Sequence, residues 1–468
     1  MTASPALRNG LGTVAKSPAH SDSLSGAAKR ETLYIWIIIA AWAFVPELRR
    51  IVDWIVGSGS LPAINLIPLL LMLPLFWQAL KRRQYGREMN LVLAAWMLAF
   101  AYALFVALAS GALFNAFYDL AQFSVPALVG LWSINASLDR RKLFESLTTA
   151  SLAIGTVVSL YGLFQYASPP AWDALWVQNA GLVSIGTAAP FQLRIFSTLN
   201  SPAVLSTFLV FTIIASLHRV TTRRWLLFPL LLCTLALAFS LVRTGYLAVA
   251  LGTIVYALCC TQRRQLIGIG SVFAALVFAA GLALPVVFGS DSGATEHLTS
   301  RLTSLQNVQS DPSAVSRESQ TATALHQAFE EPLGQGLGVV GTSAKLTGGA
   351  TAVLDNGYLS RWLEMGIVGF PAYLIAVFGA LFFTVRRWAR ARRNGNAAPE
   401  IDLIATSIAV QVAFIGSEVG GDFHNELAGV FFWFMVGLAL KGAAERFAVP
   451  LPSSLRVRLT SWAPTGKA

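Results

Sequence analysis

Arg194, Arg243 and Arg317 stand in polar segments or tight turns beside long apolar runs. The planar guanidinium donates two parallel hydrogen bonds, a geometry that suits the oxygens of a lipid-linked diphosphate. Arg194 immediately precedes an apolar segment. Arg243, in Ser240-Leu241-Val242-Arg243-Thr244-Gly245, sits in a turn so short that it must lie at the end of two helices. The competing reading is that each arginine snorkels to lipid phosphate. Two groups could act as base. Asp355, in Leu354-Asp355-Asn356-Gly357-Tyr358, opens an apolar segment, where a carboxylate either caps the helix or takes a proton from a hydroxyl. His424, in Gly420-Gly421-Asp422-Phe423-His424, has a suitable intrinsic pKa, and its other reading is a surface histidine. His326 follows Arg317 by nine residues, and nine steps of about 100° put the two on opposite helical faces. Trp172, Trp176, Phe191, Phe196, Tyr358 and Trp362 form either an interfacial aromatic belt or a surface for stacking sugar rings. There is no Asp-x-Asp and no His-Glu-x-x-His. Cys233, Cys259 and Cys260 lie in apolar stretches without metal spacing, so no metal is expected.

The elements that position these residues are transmembrane helices. Hydrophobic residues are 55% of the 468 and charged residues 12%, half the charged share of a soluble domain. Apolar segments fall near 33–48, 61–80, 90–110, 113–134, 144–168, 199–219, 224–241, 243–261, 264–289, 359–385, 402–420 and 425–443. At roughly 20 apolar residues per span, these read as about 12 transmembrane helices of an all-α polytopic protein. With the N-terminal tail inside, most Lys and Arg fall in alternate loops at 81–87, 140–142, 219–224, 263–264 and 386–393 and in the C-terminal tail. That bias predicts both termini in the cytoplasm of a bacterial inner membrane. The exceptions are Arg49, Arg50, Arg194, Arg243, Arg301, Arg317, Lys345 and Arg361. The net charge of +11 is thus read as topology and not as a nucleic-acid surface.

The expected organisation is a disordered cytoplasmic tail at 1–31, a transmembrane unit at 32–445 and a cytoplasmic tail at 446–468. Periplasmic loops lie at 169–198 and, between helices 9 and 10, at 290–354. In the larger loop, Asp311-Pro312 predicts a capped helix running to about Glu331 and stopped by Pro332, followed by a flexible turn, Gly334-Gln335-Gly336-Leu337-Gly338.

These pieces, in order, resemble the O-antigen ligase and Wzy-type polymerase superfamily. The matching stretches are Arg194-Ile195-Phe196-Ser197-Thr198-Leu199-Asn200-Ser201-Pro202, Ser240 onward to Gly245, and Arg301-Leu302 with Asp311, Ser313 and Arg317. Further on come Pro332-Leu333-Gly334-Gln335-Gly336-Leu337-Gly338, Asp355-Asn356-Gly357-Tyr358-Leu359 and Glu364-Met365-Gly366-Ile367-Val368-Gly369. The resemblance covers roughly 190–375. It implies a GT-C-type glycosyltransferase acting at the periplasmic face. The donor is a glycan on undecaprenyl diphosphate, the acceptor is a sugar hydroxyl, and neither cofactor nor nucleotide sugar is needed. By resemblance Arg194, Arg243 and Arg317 hold the diphosphate. Asp355 is the expected base, with His424 as runner-up, and Arg301, Asn356 and Tyr358 are expected to support the site. Ligases of the superfamily carry histidine where this chain has Asp355, and an Asp-Asn pair looks more like the polymerases of O-antigen and exopolysaccharide. The reading is therefore a polymerase, expected to work beside a chain-length regulator and a flippase. A ligase delivering the glycan to lipid A-core or protein is the alternative. A transporter of lipid-linked oligosaccharide is the third reading, and it needs charges along a path through the bilayer.

Overall fold

A computed structural model describes residues 18–57, 62–81, 85–111, 113–180, 185–220, 223–261, 312–341, 344, 354 and 356–441. Among the described residues the chain is helical, with a single isolated bridge between Gly186 and Leu193. The helices are α1 (Pro18–Val56), α2 (Ile67–Lys81), α3 (Arg87–Ser110), α4 (Leu113–Asn135), α5 (Arg140–Ala167), α6 (Ala171–Ala180) and α7 (Pro202–Val220). They continue as α8 (Leu227–Ser240), α9 (Arg243–Cys259), α10 (Pro312–Glu330), α11 (Gly357–Arg393), α12 (Ala398–Ser417) and α13 (Glu426–Leu440). α3, α5, α7, α11 and α12 with its following turn are long and apolar enough to cross a membrane, and α8, α9 and α13 are shorter apolar helices. The chain is a multi-pass α-helical membrane protein. The apolar segments read from the sequence coincide with α1–α5, α7–α9 and α11–α13, while 264–289 lies outside the described residues.

α1 begins at Pro18, well inside the stretch expected to be a disordered tail. Glu31 explains part of this order. Its carboxylate accepts from Ser137 N (2.7 Å) and Leu138 N (2.8 Å), fastening α1 to the α4–α5 turn.

Close backbone approach and interlocked rings hold the bundle together. A Cβ on Gly130 of α4 would lie 2.7 Å from Trp433 O of α13, so these helices pack with almost no side chain between them. Trp96 of α3 meets Trp433 edge-on at 4.9 Å and Phe100 at 4.6 Å, and Phe211 of α7 stacks on Phe431 of α13 at 3.8 Å. The two ends of the bundle differ. One is basic: Arg140 pairs with Glu400 (2.7 Å), Arg390 with Glu88 (3.3 Å), and Lys441 donates to Ser133 O, Ile134 O and Ala136 O. The other, the loop end, gathers residues 185–201, the segment 312–341 and the turn 418–425.

α11 is broken at Gly366 (φ 57°, ψ −166°), and the 332–341 segment repairs the break. Leu363 O and Glu364 O lose their helical partners there. They accept instead from Gln335 N (2.8 Å) and Gly336 N (3.1 Å), while Ile367 N donates to Pro332 O (2.8 Å). Leu337 N reaches Ala103 O of α3 at 3.1 Å. Backbone groups freed inside a bilayer need such substitutes. The Gly334-Gln335-Gly336-Leu337-Gly338 stretch, expected to be a flexible turn, is a wedge held between three helices. All three glycines have positive φ, and a Cβ on Gly336 would sit 2.5 Å from Ala107 N. Glycine is required here for proximity as well as for conformation.

Candidate active site

The site is assembled at the loop end from the starts of α9 and α11 and the turn between α12 and α13. α8 stops at Ser240 and α9 starts at Arg243, joined by Leu241 in the left-handed region (φ 53°) and Val242. Arg194 crosses to this turn: its Nε donates to Ser240 O (3.1 Å) and its Nη2 to Leu241 O (3.0 Å). Arg194 is thereby tied to the turn from which Arg243 starts α9, and both arginines are half-buried. The turn touches the rest of the site through Thr244, whose Cγ2 leaves only 2.2 Å for a Cβ on Gly420. The next step is as tight, since a Cβ on Gly357 at the start of α11 would meet Gly421 O at 2.7 Å and Glu418 Oε1 at 2.5 Å.

At the head of α11, Asn356 is the N-cap, its Oδ1 accepting from Leu359 N at 3.1 Å. The capping role that competed with catalysis for Asp355 thus belongs to Asn356; Asp355 itself lies outside the described residues, as does Arg301. Tyr358 donates its hydroxyl proton to Ile415 O (2.8 Å) and so ties α11 to α12 instead of presenting a free phenol. α10 forms as expected, starting at Pro312, and packs Ala324 and Ala328 on Leu359 and Leu363, with Phe329 edge-on to Trp362 at 5.2 Å. Position 317 stands two helical turns before Ala324 on the same helical face; the Arg317 side chain is outside the described residues. His326 is exposed and pairs with Glu330 at 3.2 Å, on the face away from α11.

The structure adds a centre that the sequence reading did not assign. Arg361, one turn into α11 and 1% exposed, is surrounded by three carboxylates. Its Nη1 lies 3.3 Å from Asp119 Oδ2 of α4 and also contacts Glu364 Oε2, and its Nη2 lies 3.2 Å from Asp422 Oδ2. The guanidinium carbon is 4.3 Å from the Phe123 ring centre. Glu364 Oε1 accepts from Gly338 N (3.0 Å), which joins the wedge to this centre. Asp422 is the cluster's outlet, with 22% of its side chain exposed. Burial pushes its carboxyl up to about 7, opposed by Arg361 and reinforced by Glu418 and Asp119. The available signal was the Arg361/Glu364 spacing of three residues in an apolar helix, since ionisable residues at membrane depth are functional candidates by default.

His424 was read as a candidate base, with a surface histidine as the other reading. It is fully buried, with Nδ1 2.9 Å from Glu418 Oε2 and 3.0 Å from the Tyr373 hydroxyl, and its ring edge-on to Phe432 at 4.5 Å. Glu418 also accepts from Phe423 N (2.8 Å) and from Tyr373 (3.0 Å). The carboxylate places the imidazole proton on Nδ1. Enclosed in this way, His424 holds the 418–425 turn in shape. The burial of the ring was not legible in the sequence, because Tyr373 and Phe432, which enclose it, come from other helices.

A second buried network fixes the segment that carries Arg194. Arg50 of α1 bonds Asp173 Oδ1 of α6 (2.8 Å), Ser197 O (2.6 Å), Leu199 O and Glu47. Gln165 Oε1 accepts from Phe196 N (3.1 Å) and Ser197 N (2.9 Å). Ser197 adopts positive φ (55°) and has its N, O and Oγ all engaged, a strained residue clamped three positions after Arg194. Trp172 and Trp176 belong to this network: Trp172 Nε1 donates to Glu47 (2.6 Å), and Trp176 packs on Phe196 at 4.9 Å.

Fold and site together define a polytopic α-helical membrane protein with a charged centre and a pair of arginines at one end. Residues 228–374 match the family model described as O-antigen ligase, and the match supports the O-antigen ligase and Wzy-type superfamily that the sequence resembles. The matched stretch spans α8 to the first half of α11, including Arg243, Arg361 and Glu364, and leaves Arg194 and His424 outside it. The match supports ligase- or polymerase-type activity. No curated protein matches the chain.

Proposed function

We propose that this chain is a polysaccharide polymerase of the bacterial inner membrane, with about 12 spans, both termini cytoplasmic and the loop end periplasmic. It lengthens O-antigen or exopolysaccharide by joining repeat units carried on undecaprenyl diphosphate, without a metal. The observation that carries this reading is the Arg194–Arg243 turn, packed through Thr244 and Gly420 against the start of the helix that follows Asp355.

In this reading Arg194 and Arg243, with Arg317 from α10, neutralise the charge that builds on the departing diphosphate. Asp355 takes the proton of the acceptor hydroxyl as that oxygen bonds the anomeric carbon. The bond from that carbon to the phosphate oxygen breaks, and undecaprenyl diphosphate leaves with the electron pair. Attack opposite the leaving group inverts the anomeric centre. Asn356 caps α11 and keeps the backbone beside Asp355 in place, with Tyr358 bracing the same turn.

The ligase reading shares donor and fold, and the replacement of its histidine by Asp355 weighs against it. Transport needs a charged path, whereas the buried charges here are spent on one another around Arg361. The test is purified protein in detergent with a lipid-linked repeat unit as sole substrate and EDTA present, read on a gel. A ladder of longer lipid-linked glycans is expected. Transfer only after addition of a core lipid or protein acceptor makes it a ligase, and movement of substrate across proteoliposomes without either product makes it a transporter.

A further inference from the structure

At the basic end, far from the arginine turn, a cleft of about 780 Å³ opens between α1 and the α4–α5 turn. Its α1 wall carries Lys29, Thr32, Leu33 and Trp36, and its other wall Leu138, Asp139 and Lys142. The polarity is graded. Lys29 and Lys142 are exposed at the mouth, while Leu33 and Trp36 lie up to seven residues further along α1, about 10 Å deeper at helical rise. Leu33 is left 59% exposed and faces the cleft, so an apolar occupant has surface to cover. The walls cannot drift apart freely, because Glu31 bonds Ser137 N and Leu138 N across them. Asp139 is engaged as the N-cap of α5, accepting from Lys142 N at 2.8 Å, and its Oδ2 lies 3.6 Å from Lys142 Nζ.

We propose that this cleft is a binding site for an anionic glycerophospholipid, with its phosphate between Lys29 and Lys142 and an acyl chain along Leu33 and Trp36. Among the lining residues two amines stand against one carboxylate, and Glu31 beside them is spent on the Ser137 and Leu138 amides, which leaves charge to complement such a headgroup. The passage from the two amines at the mouth to the apolar Leu33 and Trp36 further along α1 follows the order of headgroup and apolar layer along a bilayer normal. A free phosphate meets the same amines but leaves the apolar wall uncovered. The site is separate from the proposed transfer chemistry and does not depend on it.

The test is native mass spectrometry of the full chain released from nanodiscs containing equal phosphatidylglycerol and phosphatidylcholine, for the wild type and for K29Q/K142Q. The wild type is expected to retain phosphatidylglycerol over phosphatidylcholine by about tenfold, the effect of one to two lysines beside an anionic surface. The double variant loses that preference while staying monodisperse. Equal retention of the two lipids by the wild type overturns the proposal, as does an undiminished preference in K29Q/K142Q. Displacement of phosphatidylglycerol by millimolar inorganic phosphate also overturns it, since the cleft is then a simple anion site.

Discussion

The Arg361 guanidinium of α11 lies 3.2 Å from the Asp422 carboxylate in the α12–α13 turn, and this pair joins two of the elements that form the candidate site. Arg361 also answers Asp119 and Glu364, so removing it leaves three carboxylates crowded together. Arg361→Met is expected to destabilise the protein by about 3–5 kcal/mol, as for other buried ion pairs that lose one partner. Asp422→Asn relieves part of the like-charge crowding and is expected to cost far less. Thermal midpoints of the two variants in the same detergent check this, and equal losses would contradict it.

The glycine wedge separates conformational strain from steric contact. Gly336 (φ 93°) has α3 backbone within 2.5 Å of a would-be Cβ, whereas Gly341 (φ 83°) has nothing within 4 Å. Gly341→Ala is expected to incur only the backbone term, about 1 kcal/mol, and Gly336→Ala must in addition displace α3 or the wedge. Melting curves should place Gly336→Ala well below Gly341→Ala, with the Gly336 variant also losing activity as Glu364 and α10 shift.

At the head of α11 the roles of adjacent residues can be told apart. Asn356→Ala removes the cap and is expected to lower stability by about 1 kcal/mol. Asp355→Asn is expected to leave the thermal midpoint near that of the wild type while slowing glycan transfer by about 100- to 10,000-fold. Full polymerisation by Asp355→Asn at normal protein level would remove it as the base.

Arg194 and Arg243 share one turn and, in the proposed reaction, one leaving group. Arg243→Gln is expected to reduce turnover by about 100- to 1000-fold. Because Arg194 also holds Ser240 O and Leu241 O, Arg194→Gln is expected to lose stability as well as rate, a combination that paired melting and transfer assays on the two variants would reveal.

Asp173 sets a pH dependence. Burial raises its carboxyl to about 6, with Arg50 opposing and Glu47 adding to the rise. Between about pH 4 and pH 6 the folded chain holds a proton that the unfolded chain has released. Its contribution to stability therefore falls as pH rises through that window and is level above it. The thermal midpoint of the wild type, relative to Asp173→Asn, is expected to decline from pH 4 to 6 and then run parallel.

The amino-acid sequence by itself determined what is local. The apolar segments matched helices wherever the chain is described, because a membrane-spanning helix satisfies its own backbone and needs only length and composition. α10 was legible from Asp311-Pro312 and Pro332, and the short α8–α9 turn from Ser240 to Gly245, which is why Arg194, Arg243 and the head of α11 could be singled out. Tertiary structure decided what depends on neighbours. Arg361 and Asp119 are 242 positions apart, and only the packing of α11 on α3, which in turn packs on α4, makes them partners. His424 reads as a polar turn residue until Phe432 and Tyr373 close over it. The glycine-rich stretch reads as flexible until the break at Gly366 supplies carbonyls for it to bind. The strength of a buried charge or an exposed backbone amide is set by what surrounds it, and helical periodicity carries no information about which helix that will be.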